Sequence, residues 1–512
     1  MILSIDLGTS LTKVGIWSQD GLVAVGRCRL ETVRGPDGRA EQNPSRWWPS
    51  VTEAARQAVA GASRTGAFRA GEVEAIGFSA ARQSFVPVDS ACRPLGAALL
   101  WNDRRADTEA EALSGRFGGI GELRERTGIY YDSGAMAAKL AWLARHEPAR
   151  LSRARWLLAP RDVVVFELTG EVTTEVTMAS ASGLYDAHGR LAEDILRAAL
   201  SIDGSRGPEL DAVRRDPAAL LPQVRSPDCI VGGLLAQPAR ELGLSPGIPV
   251  VVGAGDRACE ALGTGASAER PMVSWGTTAN VSVPLETRPP GGTNGLICTR
   301  SADGKWLLEG GVSAAGSLLE WIGRLVGLAV AELVDRAGHS PPGARGVVVL
   351  PWLGGARAPW WCSAATAAVL GLRAEHDPGD VTRGAIEGVA YDIVRCIDAA
   401  YRHDSAGGRP GPGRPTCIVL GGTGSTVRPW VQILTAITGL PAVRRSSGEA
   451  ASAGAALLAA RAVGLELDLD RMDPVVAVVE PDPSDVARYE VVRPVADRLA
   501  AQSIASAAHH SA

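Results

Sequence analysis

The feature that most limits what this chain can fold into is a strand, a Gly-Thr bend and a second strand, written near the start and again past the middle. The first copy is "SIDLGTSLTKVGIW", Ser4 to Trp17, and the second is "MVSWGTTANVSVP", Met272 to Pro284. Turn residues between two apolar runs make a β-hairpin. One turn former is enough for that, yet Asp6, Gly8, Thr9 and Ser10 arrive together. Such a bend can aim several backbone N–H groups and hydroxyls at one point, a concavity suited to phosphate oxygens; either copy alone is equally a tight turn. Two copies, one in each half, form a weak internal repeat and predict two related α/β units.

Length agrees, since 512 residues exceed one ordinary core and 46% hydrophobic content can fill more than one. Residues 1–30 read as an antiparallel meander with Asp20-Gly21 as its second turn. "EQNPSRWWPSVTEAARQAVA" reads as a loop and then a helix, "EAIGFSA" as a buried strand, and "AAKLAWLARHEP" and "EDILRAALSI" as helices. Pro and Gly ahead of the apolar "PVVVGAGD" mark a boundary, giving domains 1–245 and 246–490 and a tail, 491–512, that holds His509 and His510. "TCIVL" followed by "GGTGSTVRPWVQILTAITG" runs strand, glycines, helix. "EAASAGAALLAARAVG" is a small-residue apolar helix expected to pack inside.

Composition excludes several classes. A net charge of -4 without long single-sign runs argues against nucleic acid as a partner. The eight cysteines are scattered, with no C-x-x-C pair and no histidine at zinc-ligand spacing, as expected of reduced thiols in the cytoplasm. No run of about 18 apolar residues and no leader-like segment is present, so neither export nor a membrane partner is expected. Against 49 arginines stand three lysines, Lys13, Lys139 and Lys305. This pattern fits a GC-rich coding bias, and it makes each lysine unusual.

Four stretches carry candidate chemistry. Asp6, beside the first bend, would repel phosphate unless it holds a divalent metal through water, as Mg2+ prefers. Lys13 can neutralise phosphate as a point charge, or be a solvated surface lysine. "VVGAGDRACEALG" imitates a dinucleotide fingerprint with Gly253-x-Gly255-x-x-Ala258, but the acidic residue expected about 20 positions on is missing. In the competing reading Asp256 is the functional group, taking a proton from a substrate hydroxyl, or else capping the helix that follows. Arg82, Gln83, Ser84, Phe85, Trp101, Asn102 and Asp103 can bind a polyol by hydrogen bonds and an aromatic face. Asp103 with Arg104 equally suggests an ion-pair network.

Taken in chain order, "IDLGTSLTK", "AEQNPSRWW", "ALLWNDRRA", "PRDVVVFELTGEVTTEVTMASASGLYD", "VVGAGDRACEALGTG", "MVSWGTT", "GVSAAGSLLEW", "LPWLGGARAP", "GAIEGVAYDI", "GGTGSTVRPWVQILTAITGLP" and "GAALLAARAVG" resemble the FGGY family of carbohydrate kinases, with "AEQNPSRWW" most similar to its xylulokinase-like branch. The resemblance covers nearly the whole chain. It implies two ribonuclease H-like domains of the actin/hexokinase-type ATPase fold with an interdomain cleft, and transfer of the γ-phosphoryl of ATP to a sugar or polyol hydroxyl. It implies Asp256 as general base, Asp6 at Mg2+, and Arg257 beside the substrate. Thr9, Ser10, Lys13, Gly276 and Thr277 are implied to face the phosphates, with Gly316, Gly421 and Gly422 lining the nucleotide site.

The chain departs from the family in places. Its adenosine loop is one residue longer than usual, so the polar residue there falls on Ser425 or Thr426. Ala356 stands where Glu is common. Gln83-Ser84-Phe85-Val86 replaces the branch's Gln-Met-His-Gly, and Gly134 stands where glycerol kinases carry tyrosine, which disfavours glycerol. A pentulose-like substrate is expected. The alternatives are another polyol or sugar acid (erythritol, ribulose, gluconate), a catalytically silent ATP-binding relative, or a dinucleotide-dependent dehydrogenase. A homodimer is an open option.

Overall fold

The computed structural model describes residues 1–64, 66, 68, 70–202, 208–289, 293–402 and 414–509. Two compact units emerge. The first comprises Met1–Gly263, Cys298–Trp306 and Ala450–Asp473; the second comprises Thr264–Ile297, Leu307–Glu449 and Pro474–Ala512.

In the first unit the opening meander forms as read, Ile2–Leu7, Leu11–Ser18 and Gly21–Arg29 pairing antiparallel in succession. The sheet continues from Ile2–Leu7 to the parallel strand Ala75–Ala80, then to Pro249–Val251 and Ile230–Gly233. The short strand Ala254–Gly255 also pairs with Ala75–Ala80, in parallel. Central parallel strands are covered on both faces and therefore read as unbroken apolar runs. Alternation along Ile2–Leu7 shows this directly. Leu3, Ile5 and Leu7 join the core built with Trp47 and Val51 of the helix Trp47–Arg64. Ile2 instead joins Trp17 and Ala75 against Ala453, Ala456 and Ala459 of the helix Ala450–Ala462.

The second unit repeats the plan. Its sheet runs Trp306–Val312, Ala279–Leu285, Met272–Trp275, Ile418–Gly421, Ala442–Arg445, Val475–Val479. Met272–Trp275 and Ala279–Leu285 are the antiparallel hairpin, Ile418–Gly421 lies parallel to Met272–Trp275, and the next strand is parallel again before an antiparallel edge. The weak repeat in the sequence is thus a repeat of topology.

The segment 491–512, read as a tail, is largely the end of a helix, Pro483–His509; residues 510–512 lie outside the described residues. Tyr489 of that helix is buried. Its hydroxyl donates to Glu387 Oε1 at 2.7 Å and accepts from Arg383 Nη2 at 2.8 Å. Burial pushes the Glu387 carboxyl upward, with Arg383 opposing. No helix among the described residues is long and apolar enough to cross a membrane.

Candidate active site

In the first unit, the carboxyl ends of three adjacent parallel strands bring the acidic candidates to one edge. Asp6 lies beside Ser79, and Ser79 beside Ala254. Asp256 follows two residues later as the first residue of the helix Asp256–Thr264. Ligands of open α/β sheets bind outside such strand ends. Ser79 Oγ donates to Asp6 Oδ1 at 2.8 Å, fixing a carboxylate that is nearly buried. Lys13 is the antiparallel partner of Asp6 and so shares its face.

The bend at Gly8-Thr9-Ser10 is held from outside itself. Trp101 Nε1 donates to Thr9 Oγ1 at 2.9 Å, and Gln42 Nε2 donates to the Thr9 carbonyl. Gln42 in turn accepts from Trp47 Nε1 at 3.0 Å. Ser10 is exposed.

Asp256 has a partially exposed side chain, 37%, and lies 3.6 Å from Arg82 Nε. Its Oδ1 also accepts from the Arg257 amide at 2.8 Å, while Arg257 pairs with Glu260 at 3.0 Å. Gly255 is needed because Arg82 crosses it: a Cβ there would sit 2.5 Å from Arg82 Cδ. Arg82 Nη1 reaches Thr299 Oγ1 at 3.3 Å. Behind Gly255 is a layer that sequence reasoning missed. The Gly255 amide donates to Thr177 Oγ1 at 2.7 Å, and Thr177 donates to Glu175 Oε1 at 2.7 Å. Glu175 also accepts from the amides of Thr177 and Met178 and from Arg161. Arg161 is itself paired with Asp162 at 2.7 Å. All four side chains are buried, and burial pushes both carboxyls upward against the pull of Arg161.

The polyol candidates divide. Arg82, Gln83, Trp101 and Asn102 keep partial exposure, and the Asn102 amide, with its oxygen and nitrogen exchanged, accepts from Arg34 Nη1 at 3.2 Å. Gln83 holds a left-handed backbone, φ 64°, and its amide group donates to Ala181 O at 3.0 Å. Ser84 is buried and accepts from the Trp101 amide at 3.0 Å. Phe85 is fully buried with its backbone bridged to Leu99, and it lines a small cavity with Gln83 and Ser84. Asp103 takes the ion-pair alternative, but with Arg105 at 2.7 Å rather than Arg104; at 1% exposure it has no surface for a sugar. It also accepts from the Ala40 amide at 3.0 Å.

In the second unit the Gly276-Thr277 bend accepts from a helix start. The amides of Gly316 and Ala315 donate to Gly276 O and Thr277 O at 2.9 and 3.0 Å. A Cβ on Gly316 would lie 2.8 Å from Gly276 O, so that glycine is demanded by packing on the bend. Gly421 ends its strand buried, and Gly422, φ 72°, places its Cα where a Cβ would meet Trp275 O at 2.5 Å. Ser425 Oγ donates back to Gly422 O at 2.6 Å, while Thr426 is exposed. Trp275 and Trp430 pack beneath with ring centroids 4.8 Å apart.

Two sheets of one topology, each with a Gly-Thr bend in its hairpin, and in the first unit Asp6 and Asp256 just at or past parallel strand ends, make up the architecture that the comparisons identify. A xylulose kinase of Klebsiella pneumoniae is 30% identical over 509 residues, covering 98% of each chain, and that of Escherichia coli (strain K12) is 29% identical over 501, covering 96% of each. The crystal structure of ligand-bound xylulose kinase from Lactobacillus acidophilus superposes with a TM-score of 0.86 at 21% identity over 99% of each chain. Models of the FGGY family of carbohydrate kinases, N-terminal and C-terminal domains, match residues 1–263 and 272–463. The chain belongs to the FGGY family of carbohydrate kinases, and the dehydrogenase alternative falls. The glycines of its fingerprint serve packing instead: a Cβ on Gly253 would lie 2.0 Å from Phe78 O.

Proposed function

We propose that the chain phosphorylates a hydroxyl of a pentulose-like sugar from Mg-ATP, with Asp256 as the general base. The observation that carries this is the position of Asp256, partly exposed just past a parallel strand end, beside Arg82 and two strands from Asp6. Phosphoryl transfer needs mainly positioning and charge stabilisation, and a base adds roughly 10²–10⁴-fold. Asp256 accepts the proton of the attacking hydroxyl; Arg82 orients its carboxylate. Gln83, Trp101 and Asn102 orient the sugar. In the first unit Thr9, Ser10 and Lys13 contact phosphate; in the second unit Gly276 and Thr277 do so by themselves, and Gly421 and Gly422 let the nucleotide approach the backbone.

The donors fit a magnesium ion that arrives with the nucleotide. No three His, Cys, Asp or Glu cluster as a metal group among the described residues, and one fixed carboxylate, Asp6, is the kind of ligand Mg2+ takes together with waters and phosphates. Bound there, the ion would supply neutralisation of phosphate charge.

Pentuloses are favoured because both curated relatives above are xylulose kinases. The test measures ADP release with Mg-ATP and a panel of ketopentoses, pentitols, tetritols, deoxy sugars and gluconate. Release stimulated by a ketopentose and lost in Asp256→Asn is expected. Stimulation that survives in Asp256→Asn would remove the base assignment, and stimulation by gluconate or a tetritol alone would replace the substrate class.

A further inference from the structure

Lys139 is fully buried in the helix Met136–His146 of the first unit. Its ammonium donates to three backbone carbonyls, Gln83 O at 2.7 Å, Gly134 O at 2.8 Å and Leu100 O at 2.9 Å. These carbonyls come from three segments far apart in the chain. Gln83 lies between Arg82 and Ser84, Leu100 precedes Trp101-Asn102, and Gly134 occupies the place where a side chain is excluded by the Trp101 carbonyl, 2.8 Å from a Cβ built there.

We infer that Lys139 is the positioning residue of the acceptor site, tying the two sugar-facing segments and the Gly134 turn to one point. The inference rests on the assignment of Gln83, Trp101 and Asn102 to the sugar, made above.

Three observations support it independently of the reaction. An ammonium has three tetrahedrally spread donors and meets three carbonyls converging on one atom, whereas a guanidinium spreads five donors in a plane over a larger area. That difference accounts for a lysine in a chain that uses arginine 49 times. The Gln83 backbone is left-handed, a conformation a residue with a side chain adopts only where its surroundings hold it, and Lys139 grips the carbonyl of that residue. Finally, Ser84 Oγ accepts from the Trp101 amide, so two of the tied segments are also bonded to each other. Burial pushes the amine down to about 7, with Asp103 and Asp132 opposing. Removing it takes a donor from all three carbonyls, of which Leu100 O keeps the Asp103 amide at 3.1 Å.

The test compares wild type, Lys139→Met and Lys139→Gln, the last keeping two donors, with Gln83→Ala and Asn102→Ala as references. Hydrogen exchange is followed across the whole chain alongside KM for sugar and for ATP. Lys139→Met is expected to speed exchange in residues 82–85 and 100–103 at least tenfold while the second unit is unchanged. Its sugar KM is expected to rise tenfold or more with the ATP KM within twofold, and Lys139→Gln falls between. Unchanged exchange in those segments overturns the inference, as does a parallel rise in both KM values. If Gln83→Ala and Asn102→Ala leave the sugar KM unmoved, the acceptor assignment has failed; the exchange result still decides whether Lys139 ties the segments. Should Lys139→Met not fold, Lys139→Gln carries the same comparison, and wild-type exchange at Lys139→Gln segments overturns it.

Discussion

Replacing Thr177 by valine keeps the shape of a fully buried side chain and removes only its hydroxyl. That hydroxyl accepts from the Gly255 amide and donates to Glu175, each at 2.7 Å. An orphaned buried N–H costs about 1–3 kcal/mol, and a lost bond to a charged group roughly 1.5–3 kcal/mol. Glu175 retains the amides of Thr177 and Met178 and Arg161, so it stays partly satisfied. The sum is about 2.5–6 kcal/mol, a large share of the ~5–15 kcal/mol that holds a typical domain together. Urea titration should show the midpoint falling with the slope unchanged, the mark of lost stability rather than an altered unfolded state. Gly255 precedes Asp256, so a displaced amide also moves the carboxylate proposed as the base. Misplacement of about 1 Å lowers turnover by about a hundredfold, and a kcat fall of roughly tenfold or more is expected at constant ATP KM. Thr177→Ser should recover both. A loss below about 0.5 kcal/mol with wild-type kcat would show that the hydroxyl holds neither neighbour.

Three further outcomes are expected. Gly422→Ala forces a Cβ to 2.5 Å from Trp275 O at φ 72°, and should weaken ATP binding in calorimetry while destabilising the protein by roughly 1–3 kcal/mol. Tyr489→Phe takes a partner from both Glu387 and Arg383 and should cost about 1–3 kcal/mol in urea, whereas Val491→Ala, 67% exposed on the same helix, should cost under about 0.5 kcal/mol. For Lys139, burial lowers the folded amine from 10.5 to about 7, so between those values the unfolded chain binds more protons and wild-type stability should rise with pH relative to Lys139→Met. A pH-independent difference between the two would show that the amine keeps its proton throughout.

What could be read in advance depended on how local the cause was. Both hairpins, their glycine bends and the helix opening at Asp256 are set by residues a few positions apart, and each formed where its pattern lay. The supports of the site are not local. Nothing near Gly255 points to Thr177, 78 residues away, nor near Gln83 to Lys139, 56 away. Only the rarity of lysine hinted at the second. Asp103 shows the same limit from the other side: Arg104 is its neighbour, but the backbone turns Arg104 outward and brings Arg105 to the carboxylate. The segment read as a tail continues the helix Pro483–His509, in which Ala496 and Ala500, like Tyr489 before them, find buried places in the second unit.

The helix Ala450–Ala462 has a consequence for how the chain is made. It covers the sheet face of Ile2 and Ala75, bonds Ser4 to Ser452 at 2.6 Å, and lies so close that a Cβ on Gly454 would sit 1.9 Å from Cys259 O. A ribosome releases the opening strands long before it reaches that helix. At about 5–20 residues per second the wait is on the order of half a minute. Throughout that interval the nascent first unit carries an apolar sheet face that its own sequence cannot yet close. Chaperone occupancy on stalled chains should therefore persist for lengths ending before residue 450 and drop once the helix has emerged, so that a single late segment sets the moment at which the earliest-made part becomes native.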